Sequence, residues 1–230
     1  MHLGGCQKLT LLDFPGHTAC TVFTDGCNLR CPFCHNASLV DSQNAKPSLT
    51  EEEFFEFLDK RHGLLDGVAI TGGEPLLQKD IIPFIQKIRE RGFEVKLDTN
   101  GTIPSVLKQI LDAHLVQYVA MDIKNCKEKY GITAGVPHLD LNKIEESIAL
   151  LTNSLIPFEF RTTVVKELHT EKDLLDIVKW LPPNVPYFLQ NFVDSGDILE
   201  ENMSGYENDQ MRAFLTAIKP LNPRAELRGV

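Results

Sequence analysis

ACTVFTDGCNLRCPFCHN, residues 19–36, runs a short β-branched and aromatic stretch into Asp25-Gly26 and then into three cysteines spaced Cys-x3-Cys-x2-Cys. Thr21, Val22 and Phe23 read as the end of a strand, and Asp25-Gly26 as the turn that stops it. A polar segment this short can wrap around one compact metal centre and present Cys27, Cys31 and Cys34 to it as thiolates. No fourth cysteine lies nearby. Iron–sulfur cubes ordinarily have four cysteine ligands. A cluster held here would therefore keep one iron without a thiolate, the open position that separates catalytic from structural metals. Structural zinc, with His35 completing a Cys3His set, is the other metal these residues admit. A histidine directly after Cys34 is poorly placed to share one ion with it.

The rest of the chain sets the context for that loop. Its 230 residues are 43% hydrophobic and 24% charged, enough apolar surface for a full core. Lys plus Arg (23) against Asp plus Glu (32) gives a net charge of −9, which speaks against a general nucleic-acid or membrane-surface binder. The amino terminus lacks the basic and apolar regions of a signal peptide, and no apolar run reaches the ~18 residues of a membrane helix. A cytoplasmic protein is expected. Crowded cysteines in such a chain read as metal binding or catalysis, whereas Cys6, Cys20 and Cys126 are scattered and read as small buried apolar residues.

No repeat, low-complexity tract or long linker interrupts residues 1–230, so one domain is expected. Short β-branched runs alternate with amphipathic stretches. Strands are expected at 19–24, 67–71, 93–98, 116–122, 158–165 and 185–191. Helices are expected at 50–61, 79–91, 104–113, 140–153, 171–180 and 208–218. Thr50 and Thr170 stand as N-caps before acidic first turns. This alternation implies an α/β fold with a mostly parallel sheet, either doubly wound or an incomplete barrel. Both place chemistry at the carboxyl ends of the strands, and that is where the unusual polar residues fall. The cysteine loop follows the first of these strands, Gly72-Gly73-Glu74-Pro75 the second. Asp98-Thr99-Asn100-Gly101 ends the third and Asp122-Ile123-Lys124 the fourth.

Each of these has a plainer reading. Gly72-Gly73 can simply close a strand, although glycine also lets backbone approach a ligand closely. Asn100-Gly101 is a turn pair. Asp98 and Asp122 are more pointed: on neighbouring strands they would repel unless a cation or Lys124 neutralised them.

Cys-x3-Cys-x2-Cys with Phe33 before the last cysteine, followed by Gly-Gly-Glu-Pro, resembles the radical S-adenosylmethionine superfamily. Cys34-His35-Asn36, residues 97–101 and residues 121–124 resemble the activating enzymes of glycyl radical enzymes. The opening, residues 7–16, is most similar to activating proteins of anaerobic ribonucleoside-triphosphate reductase; pyruvate formate-lyase activases have a different opening. The resemblance implies a partial (β/α)6 barrel. It implies that Cys27, Cys31 and Cys34 hold three irons of a [4Fe-4S] cluster, with S-adenosylmethionine on the fourth. Phe33 would lie against the adenine, and Gly72, Gly73 and Glu74 would receive the methionine amine. Asp122 and Lys124 would sit near the ribose and carboxylate. Asp98, Thr99 and Asp122 match a monovalent-cation site of some activases. The implied reaction takes one electron from flavodoxin or ferredoxin. It cleaves S-adenosylmethionine to a 5′-deoxyadenosyl radical, which removes a hydrogen from a glycine of the partner enzyme. The alternatives are an activase of another glycyl radical enzyme, of the pyruvate formate-lyase type, a radical enzyme acting on a small molecule, such as a 7-carboxy-7-deazaguanine synthase, and a non-catalytic zinc module.

Overall fold

The computed structural model describes residues 1–41, 48–194 and 196–229. Eight strands form one sheet in sequential order. They are β1 (Leu3–Thr10), β2 (Ala19–Thr24), β3 (Gly67–Gly72), β4 (Glu94–Thr99), β5 (Tyr118–Asp122), β6 (Phe158–Val164), β7 (Tyr187–Asn191) and β8 (Ala225–Arg228). β1 is antiparallel to β2, and every later pair is parallel. The helices are α1 (Ala37–Val40), α2 (Glu51–Asp59), α3 (Ile81–Glu90), α4 (Pro104–Asp112), α5 (Lys127–Thr133), α6 (Leu141–Thr152), α7 (Glu171–Trp180) and α8 (Asn208–Ile218). Parallel strands laid down in chain order, each followed by a helix, build an open barrel-like sheet with β1 and β8 as its edges.

The six expected strands and six expected helices are all present, with ends shifted by up to a few residues. Local chemistry explains several boundaries. The Thr50 hydroxyl accepts from Glu53 N (3.1 Å) while the Glu53 carboxylate accepts from Thr50 N (2.9 Å), a reciprocal cap that starts α2. Thr170 and Asp173 start α7 in the same way.

Two faces of the sheet diverge because strand side chains alternate. Val95, Leu97, Val119, Met121, Phe160 and Val164 face the helices and are fully buried, as are Phe84, Ile85 and Ile88 of α3. The other face carries Lys96, Asp98, Tyr118, Asp122, Glu159, Arg161 and Gln190. Glu159, which has no exposed surface, accepts from Arg228 (2.6 and 2.8 Å) and from the Tyr118 hydroxyl (2.8 Å), tying the edge strand β8 into this face. The interior of the open barrel is thus charged and paired.

Candidate active site

The carboxyl ends of β2 to β7 converge on one cavity of about 220 Å³. Cys27, Cys31, Phe33 and Cys34 line it from the loop after β2. Gly72 and Gly73 come from the end of β3, Asp98, Thr99 and Asn100 from β4, Asp122 and Lys124 from β5, Arg161 and Thr163 from β6, and Gln190 from β7. A roomier hollow of about 660 Å³ opens at the opposite end of the strands. It is lined by Pro157, Pro182, Pro183, Pro186 and Phe158 and gathers no comparable set of reactive groups.

Backbone bonds hold the cysteine loop. Gly26 N donates to Leu39 O (2.7 Å), Cys27 N to Val40 O (3.1 Å) and Arg30 N to Ala134 O (2.9 Å). The glycines of the β3 turn serve the same junction. A Cβ on Gly73 would stand 2.0 Å from Gly26 O, and one on Gly72, at φ +112°, 2.4 Å from Thr24 N. These glycines thus bring the β3 turn against the base of the cysteine loop, besides exposing backbone to the cavity. Cys31 is buried, and burial pushes its thiol up to about 11 and raises Cys27 as well. Metal binding must displace those protons. Leu29 N (3.4 Å) and the Asn100 side-chain amide (3.9 Å) donate to Cys27 Sγ; such contacts tune a cluster's potential. His35 stacks on Phe192 (centroids 5.2 Å apart), and among the described residues no three His, Cys, Asp or Glu side chains form a single-ion site. The stacking on Phe192 gives the His35 ring a packing partner of its own, which speaks for a cluster on the three thiols rather than a Cys3His zinc site.

Glu74 departs from expectation. It does not line the cavity; it is fully buried and turned into the loop. Its carboxylate accepts from Leu76 N (3.1 Å), the Thr99 hydroxyl (2.8 Å) and Asn100 N (2.6 Å). Glu74 thereby fastens the β4 turn to the β3 turn, and Thr99 spends its hydroxyl there too. Burial pushes the carboxyl up to about 7, although all three donors oppose this. A folded-state value above the ordinary 4.5 makes its stability contribution fully present below about pH 4.5 and lost as pH rises through about 7, on the order of 3 kcal/mol in all. The unfolding midpoint of the metal-free protein is expected to fall between about pH 5 and 8, with a slope that Glu74→Gln removes. The variant should also start lower, because its amide NH2 faces a buried donor. Calorimetry of both proteins across that range decides: an unchanged slope in Glu74→Gln would assign it to another group.

Asp98 and Asp122 do lie together, and their counter-charge is Arg161, which sequence reading did not identify. Its guanidinium reaches Asp98 Oδ2 (3.2 Å) and Asp122 Oδ1 (3.0 Å). Lys96 pairs with Asp98, and Lys124 with Asp122 at 3.0 Å. Burial would raise both carboxyls, but Lys124 and Arg161 outweigh it at Asp122, as Arg161 and Lys96 do at Asp98, and both are held below the ordinary range. Three cationic side chains thus neutralise two carboxylates, with Lys124 and Arg161 on the cavity wall and Lys96 buried behind Asp98. The premise for a monovalent cation, two carboxylates lacking a partner, is removed.

Cys20 and Cys126 are buried, in line with small apolar residues, whereas Cys6 is only half-buried; a hydrogen bond from the Cys20 thiol on β2 to Cys6 on β1 holds Cys6 below its ordinary value. Residues 13–16 of the opening sit at the start of β2, far from the cavity. Asp13 accepts from the Thr21 hydroxyl (2.5 Å) and buried Phe14 stacks on His17. His169, also buried, is structural: its Nδ1 accepts from Val165 N (3.1 Å) and its Nε2 donates to Lys124 O (2.8 Å).

The family model described as the radical SAM superfamily matches residues 21–181. A protein of Methanocaldococcus jannaschii, provisionally named a glycyl-radical enzyme activating enzyme, is 35% identical over 194 residues, covering 83% of this chain and 79% of that protein. A 7-carboxy-7-deazaguanine synthase of Hyperthermus butylicus is 39% identical, but over 93 residues, 40% of this chain and 38% of that protein. Among solved structures, Streptococcus suis SuiB bound to its precursor peptide SuiA aligns with 91% of this chain and 48% of its own length. Its TM-score is 0.68 at 15% identity, a likeness of fold.

Proposed function

The chain belongs to the radical SAM superfamily, and from that premise we propose that it activates a glycyl radical enzyme by forming the radical on a glycine of that partner. The superfamily implies a [4Fe-4S] cluster and S-adenosylmethionine, and the cavity residues fit both. Among the described residues three cysteine thiols and no fourth line one cavity, and Lys124 and Arg161 on its wall suit a ligand carboxylate. Held by Cys27, Cys31 and Cys34, such a cluster would supply to the sulfonium of S-adenosylmethionine one electron drawn from an external donor, and the cleavage would give methionine and the hydrogen-abstracting radical.

In this reading Cys27, Cys31 and Cys34 hold three irons. Phe33, on the cavity wall, packs against the adenine. Backbone of Gly72 and Gly73 meets the methionine amine, while Glu74 acts from behind by fixing the two turns. Lys124 and Arg161 orient the ligand carboxylate and Asp122 the ribose. The monovalent cation has no charge to balance here and is left out. The reading treats residues 1–230 as one radical SAM domain, supported by a single sheet from β1 to β8, and places it in the cytoplasm; among the described residues no helix is long and apolar enough to cross a membrane.

One observation carries the choice of substrate class. The similarity to the named activating enzyme extends over 79% of that protein, whereas that to the deazaguanine synthase stops at 38%. The partner we favour is an anaerobic ribonucleotide reductase, on the resemblance of residues 7–16, with flavodoxin or ferredoxin as electron donor. The reduced protein, mixed anaerobically with S-adenosylmethionine and the host's reductase, should form 5′-deoxyadenosine. It should also give a glycyl doublet in electron paramagnetic resonance that is lost when the target glycine is changed to alanine. A doublet with a different glycyl radical enzyme would reassign the partner. No doublet with any of them, but stoichiometric consumption of a small metabolite, would overturn the protein-substrate reading.

A further inference from the structure

We infer that the segment after β7 straps the cysteine loop in place, with Asp197 capping α1 from 159 positions away. The inference rests on the cluster assignment above but concerns residues beyond 181, outside the family match.

A four-residue helix is not stable by itself, and its first N–H groups need partners. α1 does not cap itself: Asn36, its N-cap, makes no side-chain cap bond, and its amide donates instead to Gly72 O (3.1 Å). The Asp197 carboxylate takes the role. It accepts from Ser38 N at 3.2 and 3.3 Å and from the Ser38 hydroxyl at 2.7 Å. What α1 fixes reaches the cluster ligands directly, because Leu39 O and Val40 O are the acceptors for Gly26 N and Cys27 N. Asp197 thus acts on Cys27 through Ser38 and α1.

Two further contacts lie on the same segment. Glu200 N donates to Pro32 O (3.0 Å), between Cys31 and Cys34. The Phe192 ring stacks on His35, beside Cys34, with planes 10° apart. Cys31 and Cys34 thus each have a strap contact on a neighbouring residue, and Cys27 is reached through Ser38 and α1. The strap is in turn anchored at its base. Asn191 bridges Tyr206 N (2.9 Å) and O (2.6 Å), and the Tyr206 hydroxyl donates to His169 O (2.7 Å). A Cβ on Gly205 would stand 2.2 Å from Phe192 O, so the anchor closes tightly. The opposite flank of the cysteine loop is pinned by the turn that follows α5, where Ala134 O accepts from Arg30 N and Gly135 leaves no room for a Cβ against Arg30 O (2.0 Å). With one flank fixed by that turn, loop opening has to proceed on the strap side. Asp197 is therefore a positioning residue for cluster retention.

The test follows iron transfer to a ferrous chelator from the anaerobically reconstituted protein, together with alkylation of Cys27 in the metal-free protein. Asp197→Ala should speed both by about tenfold, from loss of hydrogen bonds to a charged acceptor. Asp197→Asn, which keeps an acceptor oxygen for Ser38, should restore most of the retention. Glu201→Gln, which removes an exposed charge on the same segment, should match the wild type. The unfolding midpoint of the metal-free protein should stay nearly constant across the series. Wild-type rates in Asp197→Ala would overturn the inference. So would equal acceleration in the Asn and Gln variants, or a midpoint that falls in step with retention. If the wild type assembles no cluster, the cofactor reading fails while the alkylation comparison still decides the strap.

Discussion

Replacing Cys27, Cys31 or Cys34 by alanine is expected to leave a folded protein that holds no catalytically competent cluster, the largest functional loss of any substitution considered. The three thiols line one cavity, and among the described residues no other cysteine does. Two thiolates cannot hold a cube whose remaining irons would be open to water and oxidation. Fold stability should change little for Cys34, which is only partly buried, and more for Cys31, whose side chain is packed into the core. Cys20→Ala should cost stability by leaving a small cavity in the sheet, yet assemble a normal cluster, because β1 and β2 carry Cys6 and Cys20 away from the thiol cavity. Cys126→Ala should behave likewise: its thiol contacts Asp173 Oδ1 at 3.6 Å and faces α7. Anaerobic reconstitution separates the two groups by visible absorbance, sulfide content and S-adenosylmethionine cleavage. Cleavage at the wild-type rate by Cys34→Ala would refute the ligand assignment. Because burial raises Cys27 and Cys31, assembly should also accelerate as pH is raised.

The strand–helix rhythm was legible because it depends on local spacing. Runs such as residues 67–71 and amphipathic stretches such as residues 81–88 have periods that tertiary contacts only reinforce. β1 was hidden by its composition: Gly4-Gly5 and the polar Gln7-Lys8 weaken a strand signal, and its pairing with β2 is interrupted by register shifts. β8 has four residues, and α5 contains a glycine, so neither shows a full period. The cysteine ligands were legible because three reactive residues stand within eight positions. Glu74 was misread because its sequence neighbours announce a ligand turn, whereas its direction depends on Asn100 N and Thr99 from another strand. Arg161 could have been found. In residues 158–163 the alternation sets Glu159, Arg161 and Thr163 on one face of a strand expected to be buried on both faces. Charges there require partners, and the only unmatched carboxylates in prospect were Asp98 and Asp122. The strap had no local signal at all, since Asp197 and Ser38, 159 positions apart, meet only through the curvature of the open sheet.

Arg161→Met is expected to give the second-largest effect, on stability and on ligand binding together. The guanidinium bridges two strands, and its removal leaves Asp98 with Lys96 alone and Asp122 with Lys124 alone. Breaking a buried ion network by deleting one partner costs about 3–5 kcal/mol. Since a third of the Asp122 side chain is exposed, the loss should lie near the lower bound, at about 3 kcal/mol. The cavity wall also loses one of its two cationic side chains, so S-adenosylmethionine should bind more weakly even where the variant is fully folded. Both carboxyls should return toward their ordinary range, which shifts acid unfolding to higher pH: a depressed carboxyl stabilises above its unfolded value and loses that contribution as pH falls through its folded value. Arg161→Lys keeps the charge but not the fork that reaches two acceptors, and should recover only part of the loss. A double-mutant cycle with Asp98→Asn separates pairing from packing. Coupling of more than about 1 kcal/mol identifies the bridge as the source of the effect, whereas additive losses would show Arg161 acting through packing alone. Guanidinium ion added at concentrations too low to denature should partly restore binding in Arg161→Met, and should do nothing for the wild type, where the position is filled.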